Sequence, residues 1–439
     1  MKVLARSLSV SPMPRHAIAI AIAAAATITT VFVGSTPVSA GAGPALTVWV
    51  STHGNGVACS KAKPCTLTRG LANLQSTGTL VLEPGHYGST ASPLATTIAA
   101  GTGSLIEGEP GKASPVVYSA AANYGFLVGS IAHVHVMYSG SGNGVVASEG
   151  IDHVVVITQS PSNPDSACGS LGAPVTDSLC VNESNQGVAL TVVASVTPVR
   201  VRGVTAIDDV GSGTGILAYE GQPNTTGHVT VTNSIAVGIE DFGGVAAGPP
   251  PVGGTDQNIS VTCTYADVSE ADSTTSGTGS GQVILGKGTV RSAPQFVNTA
   301  LDDYRELATS PTADTGSRDP AADTDLAGLP RTLGSAPDMG AYELAEKPTV
   351  AHVVARTSTK SSVKITVSIN PKGLPASVIA VATRGRVSTR SKRLMVTGRK
   401  ARREVLVITG LKHHTVYRID VVATNRGGQT TSRTVKATT

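Results

Sequence analysis

Between Gly125 and Thr262 apolar and polar positions alternate in short bursts that return in one order. One pattern is a glycine followed by an aliphatic or aromatic residue: Gly125-Phe126, Gly144-Val145, Gly187-Val188, Gly215-Ile216 and Gly238-Ile239. The other sets two aliphatics around a variable residue: Val134-His135-Val136, Val154-Val155-Val156, Val199-Arg200-Val201, Val229-Thr230-Val231 and Ile259-Ser260-Val261. Aliphatics at period two mark a strand with one buried face. Strands of the second kind start 20, 45, 30 and 30 residues apart, and the 45 falls toward 20 once a polar insertion over about 160–185 is set aside. So short a unit cannot bury its apolar face alone, and copies must stack into one continuous core. The strands are too short and too interrupted for leucine-rich or ankyrin repeats. Helical periodicity is sustained only over Leu67–Leu74, which predicts one capping helix. A parallel β-helix is the expected architecture. A sandwich of short strands would not explain why two patterns return five times in order.

Composition agrees. Charged residues are 14% of the 439, against a usual quarter, which argues against coiled coils and disorder. The first forty residues stand apart. Lys2, Arg6 and Arg15 precede an uncharged stretch from Ala17 to Gly34, and Val38-Ser39-Ala40 gives the small-x-small pattern of a cleaved leader over 1–40. A retained membrane anchor is the competing reading. Export fits the cysteines: Cys59 with Cys65 and Cys168 with Cys180 are plausible local disulfides, and neither pair has zinc-site spacing. Cys263 follows Ile259 and Val261 at period two and is expected as a buried thiol.

Specific stretches carry a resemblance. Val48-Trp49-Val50-Ser51, Pro64-Cys65-Thr66-Leu67 and Val81-Leu82-Glu83-Pro84-Gly85-His86-Tyr87 resemble the N-terminal cap of right-handed parallel β-helix proteins of the pectate-lyase-like superfamily. Pro294-Gln295-Phe296-Val297, Asp303-Tyr304-Arg305-Glu306-Leu307, Asp325-Leu326-Ala327-Gly328-Leu329-Pro330-Arg331 and Pro337-Asp338-Met339-Gly340-Ala341-Tyr342-Glu343 resemble, in order, the choice-of-anchor Q domain. The resemblance implies a right-handed β-helix over 41–345, closed by that motif at about 291–343, and extracellular or cell-surface placement. It implies no single activity.

Past Lys347-Pro348 the chain changes. Within a domain over 346–439, residues 350–439 alternate as seven short strands, and Leu411-Lys412-His413-His414-Thr415-Val416-Tyr417 resembles the corner region of fibronectin type III domains. The resemblance makes Tyr417 the corner tyrosine, tied to upstream backbone. The usual proline is His413 here, and Val363, Ile365 and Val367 replace the core tryptophan. The fold class is therefore all-β, a right-handed parallel β-helix solenoid followed by a fibronectin type III-like β-sandwich. Charge splits at the same boundary: 346–439 holds 19 basic and 3 acidic residues, whereas 41–345 holds 11 basic and 26 acidic. Arg384, Arg386, Arg390, Lys392, Arg393, Arg399, Lys400, Arg402 and Arg403 form the densest basic run. Such a run attracts polyanions, here an anionic cell-wall or extracellular polymer or an acidic polysaccharide, unless it is only a solvated surface.

Chemistry is sparser. Asp208-Asp209, with Arg200 and Arg202 one coil away, is the best catalytic candidate for a polysaccharide lyase or glycosidase, and Glu240-Asp241 is the second. Aligned by the glycine pattern, the outward strips read Leu127, Val146, Ala189, Leu217, Glu240 and His135, Val155, Arg200, Thr230, Ser260. Neither resembles a catalytic groove. His133, His153 and His228 each precede a strand, but the intermediate coil carries Pro198, so no metal is assigned. Asp319, Asp323 and Asp325 are acids that suit calcium without further support. No cofactor is expected. The leading expectation is a secreted, non-catalytic scaffold or adhesion protein, extracellular or attached to the cell wall, with a polyanion-binding C-terminal module. The alternative is a carbohydrate-active enzyme on acidic polysaccharide.

Overall fold

The computed structural model describes residues 46–160, 166–184, 187–194, 196–208, 213–220, 226–238, 240–245, 258–268, 271–274, 280–318 and 324–439. The leader expected over 1–40 lies outside them, and among the described residues no helix is long and apolar enough to cross a membrane.

Every strand pairing in the first two sheets is parallel, so the chain winds as a β-solenoid. One sheet has 16 strands and forks. Two long strands, Tyr124–Ala132 and Asn143–Asp152, span both branches. One branch continues through Ser166–Leu171, Val188–Ala194, Thr214–Glu220, Glu240–Val245 and Ala271–Thr274. The other begins at Thr47–Val50, Thr79–Leu82 and Leu105–Gly108 and continues through Val175–Thr176, Val199–Arg202, Thr226–Thr232, Asn258–Thr264 and Ser280–Leu285. A lateral sheet of seven strands runs from His86–Tyr87 and Val116–Ser119 through His135–Tyr138, Val155–Thr158, Leu179–Asn182 and Thr205–Asp208 to Ile235–Val237.

Stacking makes columns. Val48, Leu80, Ile106, Ile131, Ile151, Val175, Val201, Val231 and Cys263 occupy one register position in successive coils, each at most 1% exposed. Burying one such aliphatic side chain contributes on the order of 1.5–3 kcal/mol. The lateral sheet's inner column is smaller: Val117, Val136, Val156, Cys180, Ala206, Ala236. The first coil is covered by helix Leu67–Asn73, whose N-cap Thr66 accepts from the Arg69 N–H and whose Gly70 sits against Val50 and Leu80.

Three sequence expectations change. The supposed insertion at about 160–185 holds a complete coil, with a strand in each sheet, and Cys168–Cys180 bridges that coil through its interior. Val199–Val201, Val229–Val231 and Ile259–Val261 lie in the forked sheet, whereas Val134–Val136 and Val154–Val156 lead into the lateral sheet, so the second pattern joined two structural positions. The outward strip consequently reads Leu127, Val146, Gly169, Thr191, Leu217, Gly243, with Glu240 opposite Thr214. Both expected disulfides are formed, and Cys263 is free and buried.

The described residues between Phe296 and Tyr342 return to the lateral sheet. Outward-facing Ile157, Leu179, Val181 and Ile207 are buried beneath Phe296, Tyr304, Ala341 and Tyr342. Beyond lies an antiparallel β-sandwich. Thr349–Thr359, Ser362–Asn370 and Arg402–Ile408 form one sheet, and Ala376–Arg384 and Val416–Asn425 form the centre of the other. Val363, Ile365 and Val367 are fully buried between the sheets. The Tyr417 hydroxyl accepts from the Lys412 N–H at 3.0 Å, the expected upstream tie.

Candidate functional site

Six successive coils turn out of the forked sheet at one residue in the left-handed region. His133, His153, Asp177, Gly203, Asn233 and Tyr265 have φ of 54°, 52°, 47°, 62°, 48° and 49°. Each stands two positions after the inward aliphatic column, at Ile131, Ile151, Val175, Val201, Val231 and Cys263. That offset was present in the sequence, and His, Asp, Gly and Asn are residue types that tolerate this conformation. The histidine column expected from sequence is thus corrected: His133 and His153 are successive turn residues, whereas His228 is exposed on a strand beside Ser260.

The returning segment docks on this column. Arg331 is 4% exposed and places Nη2 2.5 Å and Nε 2.9 Å from Asp177 Oδ1, while Nη1 donates to the Gly340 carbonyl at 2.8 Å. Arg202 Nη2 reaches Asp177 Oδ2 at 3.1 Å. Asn233 exchanges two 2.7 Å hydrogen bonds with the Ser317 backbone. A narrow cleft opens here, lined by Asp177, Arg202, Gly203, Asn233, Ser317 and Arg331.

In the two coils before Asp177, His133, Asp152 and His153 converge, with their ligand-type atoms within 4.8 Å of one another. The two imidazoles lie 4.8 Å apart, centroid to centroid, which is the spacing of stacked coils. His153 Nδ1 stands 3.0 Å from Asp152 Oδ2, with the carboxylate off the axis of the ring N–H. Thr324 Oγ1 meets His153 Nε2 at 3.1 Å, and Thr176 Oγ1 donates to Asp152 Oδ1. Burial lowers the His153 pKa, but the Asp152 and Asp177 carboxylates outweigh it and the net shift is upward. Burial raises Asp152, but His153 and Thr176 outweigh it and hold the carboxyl below its ordinary value. The His133 pKa is lowered by partial desolvation of its ring and by neighbouring His153, against the pull of Asp152.

Among the described residues, Asp208 does not converge with Arg200 or Arg202. Asp208 is 3% exposed and points into the coil, where Asn182 Nδ2 and the Gly213 N–H donate to its two oxygens at 2.7 Å each. Arg200 lies exposed on the outward face of the forked sheet, and Arg202 on the same face is engaged with Asp177. Asp209, Asp319 and Asp323 lie outside the described residues, as do the side chains of Glu240 and Asp241. Asp325 is buried and accepts from the Leu329 and Glu343 N–H groups at 2.5 and 2.7 Å.

The basic run is laid out differently. Arg384, Arg386 and Arg390 lie on the Ala376–Arg384/Val387–Arg390 hairpin, and Lys392 and Arg393 follow it. Arg399 and Lys400 precede Arg402 and Arg403, which open the edge strand Arg402–Ile408. All nine are exposed. Among the described residues the acid within ion-pair distance of them is Glu404, 3.8 Å from Arg402.

No protein-family model and no curated protein matches this sequence. Among solved structures the chain is similar to a crystal structure of pectate lyase Pel9A. The identity is 14% and the TM-score 0.34, over 68% of this chain and 96% of that one.

Proposed function

We propose that the protein is an exported β-solenoid that binds an acidic extracellular polymer through its basic C-terminal sandwich and acts as a non-catalytic scaffold. The observation that carries this reading is the row of nine exposed cations from Arg384 to Arg403, with one acid at 3.8 Å among them. Cations so clustered and so poorly neutralised raise the local concentration of an anionic chain, because its counterions are released on contact. Export is supported by the leader pattern and by two internal disulfides, which persist in oxidising compartments. The right hand of the helix, the closing motif at about 291–343 and the fibronectin type III kinship of 346–439 belong to the same reading and rest on sequence resemblance.

The test is salt elution of the full chain from heparin or a teichoic acid-like polymer. Changing Arg399, Lys400, Arg402 and Arg403 to Gln removes most of the retention and flattens the salt dependence. Equal retention by that variant places binding elsewhere, and retention no stronger than that of a neutral sandwich makes the charge a solvated edge.

A second reading, a polysaccharide lyase or glycoside hydrolase on acidic polysaccharide, draws on one observation. His133, Asp152 and His153 bring three chemistry-bearing side chains together at the solenoid surface. Release of unsaturated or reducing ends from pectin, alginate or a glycosaminoglycan distinguishes it from the scaffold.

A further inference from the structure

We propose that His133, Asp152 and His153 form a binding site for a divalent first-row transition-metal ion, with Zn²⁺ as its representative. The site goes beyond the polymer-binding reading and does not depend on it. Two imidazoles and a carboxylate make a donor set that suits zinc, nickel or copper better than calcium, which prefers oxygen ligands alone. The solenoid supplies the geometry. Identical turn positions in consecutive coils set the two rings 4.8 Å apart, and Asp152 immediately precedes His153.

A tetrahedral zinc ion with bonds of about 2.0–2.1 Å sets its ligand atoms about 3.3–3.4 Å apart. His153 Nδ1 and Asp152 Oδ2 already stand 3.0 Å apart. The third ligand, His133, is exposed, so rotation about its side-chain bonds brings the ring in by the remaining ångström or so without repacking.

The surrounding contacts favour an ion over a simple hydrogen bond. Nδ1 of His153 is buried, yet Asp152 lies off its N–H axis, so the close approach is left without a well-directed proton between the two atoms. A cation held by both atoms resolves that approach. Thr324 on the far ring nitrogen of His153 and Thr176 on the far oxygen of Asp152 fix the two inner ligands. Such outer partners orient metal ligands and raise affinity. The next turn residue, Asp177, also faces His153 and is paired with Arg331 and Arg202; its carboxylate favours positive charge at His153 more than the Arg331 guanidinium opposes it. His133 is exposed, so the fourth coordination position opens to solvent.

The test uses the full chain, stripped with chelator and titrated with Zn²⁺ by calorimetry, and with Co²⁺ by visible absorption. The proposal expects one Zn²⁺ per chain, a rise in the melting midpoint on loading, and four-coordinate Co²⁺ bands. His133→Asn and His153→Asn keep a residue type that the column already accepts at Asn233, and each weakens Zn²⁺ binding at least about tenfold. Thr324→Ala weakens it by about 10–100-fold. Ca²⁺ gives no comparable heat. His228→Ala and the His413→Ala/His414→Ala pair bind as the parent does. Parental affinity in both Asn variants overturns the site, as does loss of binding in the His413/His414 pair or preference for Ca²⁺.

Discussion

Arg331 and Asp177, 154 residues apart in sequence, form an ion pair with 2.5 Å between Nη2 and Oδ1 and side chains only 4% and 3% exposed. The contact fastens the returning segment to the turn column. Removing Arg331 leaves the buried Asp177 carboxylate with Arg202 as its remaining ion pair, at 3.1 Å, so the loss approaches but does not reach the about 3–5 kcal/mol of a wholly unmatched buried charge. Arg331→Met is therefore expected to lower the unfolding midpoint strongly. Asp177→Gly in the same chain restores part of the loss, since the column accepts glycine at the next coil. Additive losses in denaturant unfolding would show that the two residues are not coupled.

Gly203 occupies the turn position where Arg331 lies. Its φ is +62°, and a Cβ there would stand 2.4 Å from Arg331 Nη2 and 2.5 Å from Asp177 Oδ1. Gly203→Ala must both adopt a strained backbone, at about 1–2 kcal/mol, and displace the guanidinium. Gly328→Ala, at φ +69° with open space around it, carries the strain alone. The Gly203 variant should be the less stable of the two, and the difference should shrink in an Arg331→Met background. Equal midpoints for both alanine variants in the parent chain would contradict the close packing.

Much of the solenoid was legible because its forked-sheet columns are built from large aliphatics that recur at period two. Ile131, Ile151, Val201 and Val231 announce themselves. The lateral sheet did not, for two physical reasons. Its inner column narrows to Cys180, Ala206 and Ala236, too small to register as apolar strands. Its outer face carries Ile157, Val181 and Ile207, apolar because the returning segment covers them, so alternation no longer tells inside from outside. The coil at 166–184 looks like a polar insertion in the sequence for the same reason. Cysteine pairing needed only proximity along the chain, and both bridges formed as expected. The His133–Asp152–His153 cluster was half visible, since the offset from Ile131 and Ile151 was readable while the register that excludes His228 was not.

Asp208 separates a structural from a catalytic role. Its carboxylate continues an interior ladder in which Thr158 donates to Asn182 Oδ1 at 2.9 Å and Asn182 donates to Asp208 at 2.7 Å. Asp208→Ala leaves the Asn182 amide and the Gly213 N–H without their acceptor, a loss of about 1–3 kcal/mol. Thermal melting should fall while heparin elution stays unchanged. A stable Asp208→Ala chain that has lost release of polysaccharide ends would instead make Asp208 catalytic.

The returning segment should loosen as pH rises. Burial pushes Glu306 up to about 8, and the Asp338 and Asp267 carboxylates add to it against opposing hydrogen bonds from Thr312 and Ser310. Burial likewise pushes Asp338 up to about 6 and Glu343 up to about 9, with Asp314 opposing ionisation of the first and Asp338 and Asp325 that of the second, against the pull of Arg331. A carboxyl whose folded pKa exceeds its unfolded value binds more protons in the folded state, so its stabilising effect is complete in acid and is lost as pH climbs to the folded value. For these three groups the window runs from about pH 4 to about pH 9, because ordinary carboxyls titrate near 4. Hydrogen exchange at Ile157, Val181 and Ile207, which lie beneath the segment, should therefore quicken from pH 5 to pH 9 beyond the intrinsic base catalysis of exchange. Glu306→Gln keeps a neutral side chain of the same shape and should flatten part of that slope. Protection that grows toward pH 9, or a Glu306→Gln chain with the parental slope, would show that these carboxyls are ionised in the folded protein.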